Sequence, residues 1–335
     1  MKRSHPLRDK ILSTFDGVQA SKRLPELLTE LLSEQKKSWP DLRQGCESLK
    51  RIKVKEIQCN GFFVSVQHNP GRIRSSTADV EKKSINGRPC FLCSDNLPDN
   101  QKGIFYRKEY LILCNPAPVF TYHFTVCHVD HLPQAIIGHA DRFLQLAADL
   151  GSRWAVLYNG PKCGASAPDH LHFQVVPTGQ MPIEKEFREE EKLNRIMRSG
   201  GVSLSRMRNR GRKVMILEGD DPMALVLAIN KVSAALQKVL HIVEEPMMNI
   251  TGSYNEGMWR LLIFPRAKHR PHAFFIEGDE RIVISPAVME MGGVLIAPME
   301  KDFERLDAFI VEEMFREVSL DNKTMDSAID AMAAM

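Results

Sequence analysis

The sequence predicts an α+β fold built on an antiparallel sheet and divided into two related lobes. Three observations carry that expectation: short runs with strand-like alternation, a few long apolar-periodic stretches placed without regular alternation between them, and an echo between the two halves of the chain. A doubly wound parallel sheet would need strands and helices in strict succession, and the order here is not that.

The leucines of Arg23 to Ser38 recur at helical spacing and read as an amphipathic helix within a helical segment, residues 1–50. Residues 51–180 form the first lobe. In it Gly61 to His68 reads as a strand closed by the turn Asn69-Pro70-Gly71, and four more strands are expected at Tyr110 to Asn115, His123 to Val129, Trp154 to Asn159 and Leu171 to Val176. Ala140 to Arg153 reads as the helix between them. Residues 181–215 are dense in charge, from Glu184 through Lys192 and then Arg206, Arg208, Arg210, Arg212 and Lys213; they read as a solvated helix and exposed loop, or as a basic flap over a phosphate. The second lobe, residues 216–335, opens with Asp221 as N-cap and Pro222 at the first position of a helix to about Leu240. Strands are expected at Met247 to Gly252, Trp259 to Pro265 and Arg281 to Ser285. The echo sets Asn115-Pro116, the strand from His123 and His131 beside Tyr254-Asn255, the strand from Leu261 and His269.

Composition narrows the function classes. Of 335 residues, 43% are hydrophobic and 26% charged, no apolar run approaches the ~20 residues of a membrane span, and the basic N-terminus lacks an apolar signal core, so a cytoplasmic protein without membrane contact is expected. A net charge of +3 gives no warrant for nucleic-acid binding. Seven cysteines, with only Cys90 and Cys93 close together, argue against a disulfide framework and leave that pair as metal-binding or redox.

The chemistry concentrates in Cys163-Gly164-Ala165-Ser166-Ala167-Pro168-Asp169-His170-Leu171-His172-Phe173-Gln174. On a strand, the period of two sends His170, His172 and Gln174 to one face, neighbours roughly 6.5 Å apart, and Leu171, Phe173 and Val175 to the other. The loop before it, with Asn159, Gly164, Ala165 and Ser166, is rich in small residues whose backbone N–H groups suit phosphate oxygens. A neutral imidazole can attack an activated phosphorus near pH 7, dividing one displacement into two, with Gln174 holding a non-bridging oxygen. Downstream, the cationic stretch Phe264 to His272, with Arg266 and Lys268, reads as contacts to phosphate or sugar.

The row His170-Leu171-His172-Phe173-Gln174 resembles the signature of the histidine-triad superfamily, in the branch where glutamine replaces the third histidine: galactose-1-phosphate uridylyltransferases, diadenosine tetraphosphate phosphorylases and GDP-hexose phosphorylases. The resemblance implies a histidine-triad-like fold, His172 as nucleophile, Gln174 at the phosphoryl group and Ser166 as donor to the leaving phosphate. Arg88-Pro89-Cys90-Phe91-Leu92-Cys93 is similar to the uridylyltransferase region whose cysteines bind zinc, which implies a structural zinc on Cys90, Cys93, His131 and His170, with His128 competing for the third place. Asn69 to Arg74 and Arg88-Pro89 loosely resemble the uridylyltransferase segment whose arginines contact substrate phosphates, which implies Arg72, Arg74 and Arg88 as candidate clamps. The implied activity is nucleotidyl transfer or phosphorolysis of a nucleotide-sugar or dinucleoside polyphosphate, with inorganic phosphate or a sugar phosphate as acceptor, in a homodimer. A nucleotide hydrolase and an inactive zinc-stabilised nucleotide-binding protein are the rival readings.

Overall fold

The structure, a computed structural model, describes residues 6–17, 20–77, 85, 87–187, 193–207 and 211–335. Its strands are β1 (Ile11–Phe15), β2 (Lys53–Cys59), β3 (Phe62–His68), β4 (Gly103–Tyr106), β5 (Tyr110–Cys114), β6 (Phe124–His128), β7 (Trp154–Asn159), β8 (His172–Pro177), β9 (Leu193–Ser199), β10 (Val202–Met207), β11 (Met215–Gly219), β12 (Met248–Asn255), β13 (Met258–Pro265) and β14 (Val294–Ala297). Eleven of them form one sheet in the order β1-β4-β5-β6-β8-β7-β12-β13-β11-β10-β9, and β14-β3-β2 form a second. The main helices are α1 (Leu24–Ser38), α2 (Pro40–Leu49), α3 (Ala140–Leu150), α4 (Pro222–Leu240), α5 (Val288–Met291), α6 (Ala308–Val318) and α7 (Asn322–Ala333).

The two related lobes are visible in the strand order. β4-β5-β6-β8-β7 and β9-β10-β11-β13-β12 follow the same path, three strands in succession, a helix (α3 or α4), and two strands entering in reverse. The halves join through the antiparallel pair β7 and β12. The echo drawn from the sequence therefore matched the wrong strands, because β6 corresponds to β11, and β13 to the reactive strand β8. β13 carries no histidine, so only one of the two equivalent strands bears the row.

The hairpins follow from backbone chemistry. β9 and β10 are joined by Gly200 and Gly201, and β12 and β13 by Glu256 and Gly257, all with positive φ as a two-residue turn between twisted strands requires. α4 starts as expected, with the Asp221 side chain accepting from Met223 N–H at 2.8 Å. Contrary to the expectation from apolar runs, α4 is long and apolar enough to cross a membrane by length and composition. Its Leu225, Ile229, Val232 and Leu236 stripe packs instead into the core between the large sheet, α1, α3 and α7.

Phe173 and Val175 of β8 face this helical core, while Val176 faces a second core formed with β3, β14 and α6. Alternation thus sends the apolar side of β8 into the helices and leaves His172 and Gln174 on the face toward the small sheet. That placement creates the site.

Two expectations are corrected here. Arg281 to Ser285 forms no strand: Ile282, Val283 and Ile284 are buried, Val283 N–H donates to Asp302 Oδ2 at 2.7 Å, and Ile284 N–H folds back to Ile282 O at 3.0 Å. Of the charged stretch after residue 181, Ile183–Glu186 is a short helix whose Glu184 and Glu186 are buried rather than solvated, and Leu193 to Met207 is the edge hairpin β9–β10; Arg188, Glu189 to Lys192, Arg208 and Arg210 lie outside the described residues. Arg212 is fully buried, bonded twice to Glu186 at 2.7 and 2.9 Å, and lies 4.8 Å from the Phe62 ring centroid and 5.4 Å from that of Phe315. Replacing it by alanine leaves a carboxylate buried without its cation, and Arg212→Ala is expected to lower unfolding free energy by about 3–5 kcal/mol, read from urea midpoints. A loss under 1 kcal/mol would refute the core role.

Candidate active site

Three elements meet around the row. β8 supplies His172 and Gln174, the loop after β7 supplies Asn159 to Ser166, and the segment before α5 closes over that loop. The closure is tight: Gly164 has φ +106°, and a Cβ there would lie 2.5 Å from the Ala287 Cβ. Glycine is demanded twice at this position, by conformation and by the neighbour. Asn159 Oδ1 accepts from Val288 N–H at 2.9 Å and from Asn249 Nδ2 at 2.8 Å, which ties the loop to the second lobe. The Asn159 oxygen is thereby committed to structure, and only its amide hydrogens remain for a ligand.

His172 is 4% exposed, and its Nδ1 lies 2.8 Å from the carbonyl oxygen of His170. Only a protonated Nδ1 can make that bond, so the lone pair resides on Nε2. Burial pushes the ring's pKa down to about 4, which keeps it neutral at physiological pH.

His123, not singled out from the sequence, sets the orientation of Gln174. Val119 N–H donates to His123 Nδ1 at 3.2 Å, leaving Nε2–H to donate to Gln174 Oε1 at 2.7 Å. Burial, together with the Arg72 charge, pushes the His123 pKa down to about 3, so this tautomer persists. With its oxygen held, Gln174 presents its NH₂ to a ligand.

Next to the row, Cys90, Cys93, His131 and His170 bring their donor atoms within 4.8 Å of one another. Cys90 Sγ lies 3.3 Å and Cys93 Sγ 3.6 Å from His170 Nδ1, and Cys93 Sγ is 3.2 Å from His131 Nδ1. A tetrahedral zinc with ordinary bond lengths separates sulfur from nitrogen by about 3.6 Å, so the donor set fits that ion. The outer partners fit as well. His170 Nε2 lies 2.8 Å from the carbonyl of His128, and His131 Nε2 lies 3.4 Å from Asp169 Oδ2, so both rings are oriented with Nδ1 inward. His128 itself turns Nδ1 toward Asp130 N–H at 3.0 Å and is not a fourth ligand.

A cavity of about 1140 Å³ opens over His172 and Gln174. Arg72, Arg74 and Arg88 line it, as do Asn159, Gly164, Ala165 and Ser166. Arg72 is anchored by Nη1 to Ala117 O at 2.9 Å, and Arg88 by Nη2 to Ser166 O at 3.0 Å, so the Ser166 carbonyl is engaged.

Arg266 and Lys268 are not on this wall. Arg266 is 1% exposed and donates to Val318 O, Asn249 Oδ1, Pro286 O, Lys268 O and His269 O, between 2.6 and 3.1 Å. It is a bracket inside the second lobe, and Lys268 pairs with Glu317 at 2.9 Å on the surface. The cationic density was the right signal but the members differ: His269 and Arg270, held against the cavity by that bracket, line it instead, together with Glu290.

A family model described as domain of unknown function DUF4922 matches residues 31–177, and one described as GDPGP1-like, C-terminal domain, matches 184–332. The fold is similar to that of yeast Ap4A phosphorylase Apa2. Its complex with Ap4A aligns with a TM-score of 0.58 at 12% identity over 88% of this chain and 97% of that one, and its complex with AMP with 0.56 at 13% over 88% and 96%. No curated protein matches the sequence.

Proposed function

We propose that the chain, whose histidine-triad-like fold is similar to that of Ap4A phosphorylase and whose residues 184–332 match the GDPGP1-like C-terminal domain, is a nucleotide phosphorylase working through nucleotidyl-His172. One observation carries this reading: the His170 carbonyl fixes the proton on His172 Nδ1 and leaves the Nε2 lone pair on the wall of an arginine-bordered cavity.

In the first step, Nε2 attacks the α-phosphorus of a nucleotide-sugar or dinucleoside polyphosphate. The bond from phosphorus to the bridging oxygen breaks, and the sugar phosphate or nucleotide leaves with the electron pair. In the second, an oxygen of inorganic phosphate attacks the same phosphorus, the P–N bond breaks, and neutral His172 returns with nucleoside diphosphate as product when the donor is a nucleotide-sugar. Throughout, the Gln174 NH₂ and Arg72 hold the non-bridging oxygens as charge shifts among them. The Cys90, Cys93, His131 and His170 set would hold a structural zinc, a closed four-ligand site that supplies rigidity and no reacting position.

Acceptor dependence tests the proposal. With a nucleoside diphosphate sugar, product formation is expected to rise at least tenfold on adding phosphate and to yield nucleoside diphosphate and sugar phosphate. Nucleoside monophosphate appearing at equal rates with and without phosphate would instead identify a hydrolase.

A further inference from the structure

A residue outside both the metal set and the cavity wall grips the nucleophile's backbone. β7 and β8 pair regularly from Trp154 opposite Pro177 to Leu157 opposite Gln174, and there the ladder stops. Two rungs further on, where Asn159 and His172 would face each other in the same register, the side-chain amide of Gln134 stands between them. Its Oε1 accepts His172 N–H at 2.8 Å, and its Nε2 donates to His172 O at 3.0 Å and to Asn159 O at 2.9 Å. Gln134 is 3% exposed, and both of its N–H donors are used.

In an antiparallel ladder the N–H and C=O of one residue point to the same neighbour. The amide therefore completes β8 at His172 as a strand residue would, while keeping β7 at a distance. The gap falls where the chain leaves β7 for the loop that carries Gly164, Ala165 and Ser166 along the cavity. Pairing β7 directly to His172 would bring that loop toward the ring and narrow the space for a phosphate.

We propose that Gln134 is a positioning residue for nucleotidyl transfer, setting through the backbone both the placement of the His172 ring and its separation from the phosphate-approach loop. The inference rests on reading His172 as the nucleophile. An ordinary buried amide would matter for stability alone, whereas a positioning residue governs the rate of attack at unchanged affinity.

Gln134→Met keeps length and removes all three bonds; Gln134→Asn keeps the amide but is too short to span both strands. In single turnovers at saturating donor without acceptor, nucleotidyl transfer to the protein is expected to slow 10- to 100-fold in either variant, the scale of a misplaced reactive group, with KM for the donor within threefold. Transfer within threefold of the parent in a folded variant would overturn the proposal. So would a slower rate matched by an equal loss of donor affinity and melting temperature. Should the parent protein itself form no adduct, the functional reading fails separately, and amide exchange at His172 decides the positioning role. Protection is expected to fall about 100-fold at His172 and hold at Phe173 to Val175; unchanged protection at His172 would refute it.

Discussion

His172→Ala is expected to abolish turnover, lowering kcat by at least about 10³-fold while leaving nucleotide binding within severalfold of the parent. Loss of a covalent nucleophile commonly exceeds that scale, because no other group can open the two-step route. Among the described residues the histidines beside the row are already engaged: His170 has its Nδ1 turned to the cysteines and its Nε2 to the His128 carbonyl, and His123 is bonded through both nitrogens. The alanine variant keeps Arg72, Arg88 and Gln174 on the wall, so it still has the groups that hold phosphate. Phosphorolysis rates and equilibrium binding of nucleoside monophosphate, measured on the same preparation, check both halves. A variant with a tenth of the parental kcat would show that His172 is not the nucleophile.

Cys90→Ser combined with Cys93→Ser is expected to reduce bound zinc from about one per chain to none and to cut activity 10- to 100-fold or more. The reason lies in His170, which has two tasks on one residue. Its ring is a donor of the metal set, and its carbonyl fixes the proton on His172. Releasing the ring frees the backbone that determines which nitrogen of His172 is nucleophilic. Metal analysis of protein purified without chelators, paired with phosphorolysis rates, reads both effects. Full activity in a zinc-free double variant would separate the metal set from catalysis, and a reducible Cys90–Cys93 disulfide in the parent would restore the redox reading.

Much of this site was legible in local sequence because strand periodicity is local. Alternation alone separates Phe173 and Val175 from His172 and Gln174, and the structure sends those sets to opposite sides of the sheet. The small-residue loop and the cysteine–histidine set were likewise readable, since each rests on residue types whose chemistry narrows their use. Strand pairing was not legible. His123 orients Gln174 across 51 residues because β6 lies beside β8, and nothing in either segment announces that neighbour. Gln134 reaches His172 from an irregular stretch for the same reason.

The cationic stretch after β13 shows a different failure. Charge density located a cavity wall, but Arg266 finds five carbonyl and amide oxygens inside the protein and turns inward, leaving His269 and Arg270 at the cavity. Arg212 misled similarly. Five donors on a planar group can be satisfied within a core as well as by a ligand, and composition does not distinguish the two.

The nucleotidyl-His172 adduct is open to direct observation. The protein is incubated with a nucleotide-sugar or dinucleoside polyphosphate labelled in the α-phosphate, without acceptor, and the digest is mapped by mass spectrometry. Up to one nucleotidyl group per chain, acid-labile, is expected on the peptide carrying His172, with its discharge as nucleotide when phosphate is added. Sustained phosphorolysis with no labelled protein, or a label on any residue other than His172, would contradict a nucleotidyl-His172 intermediate.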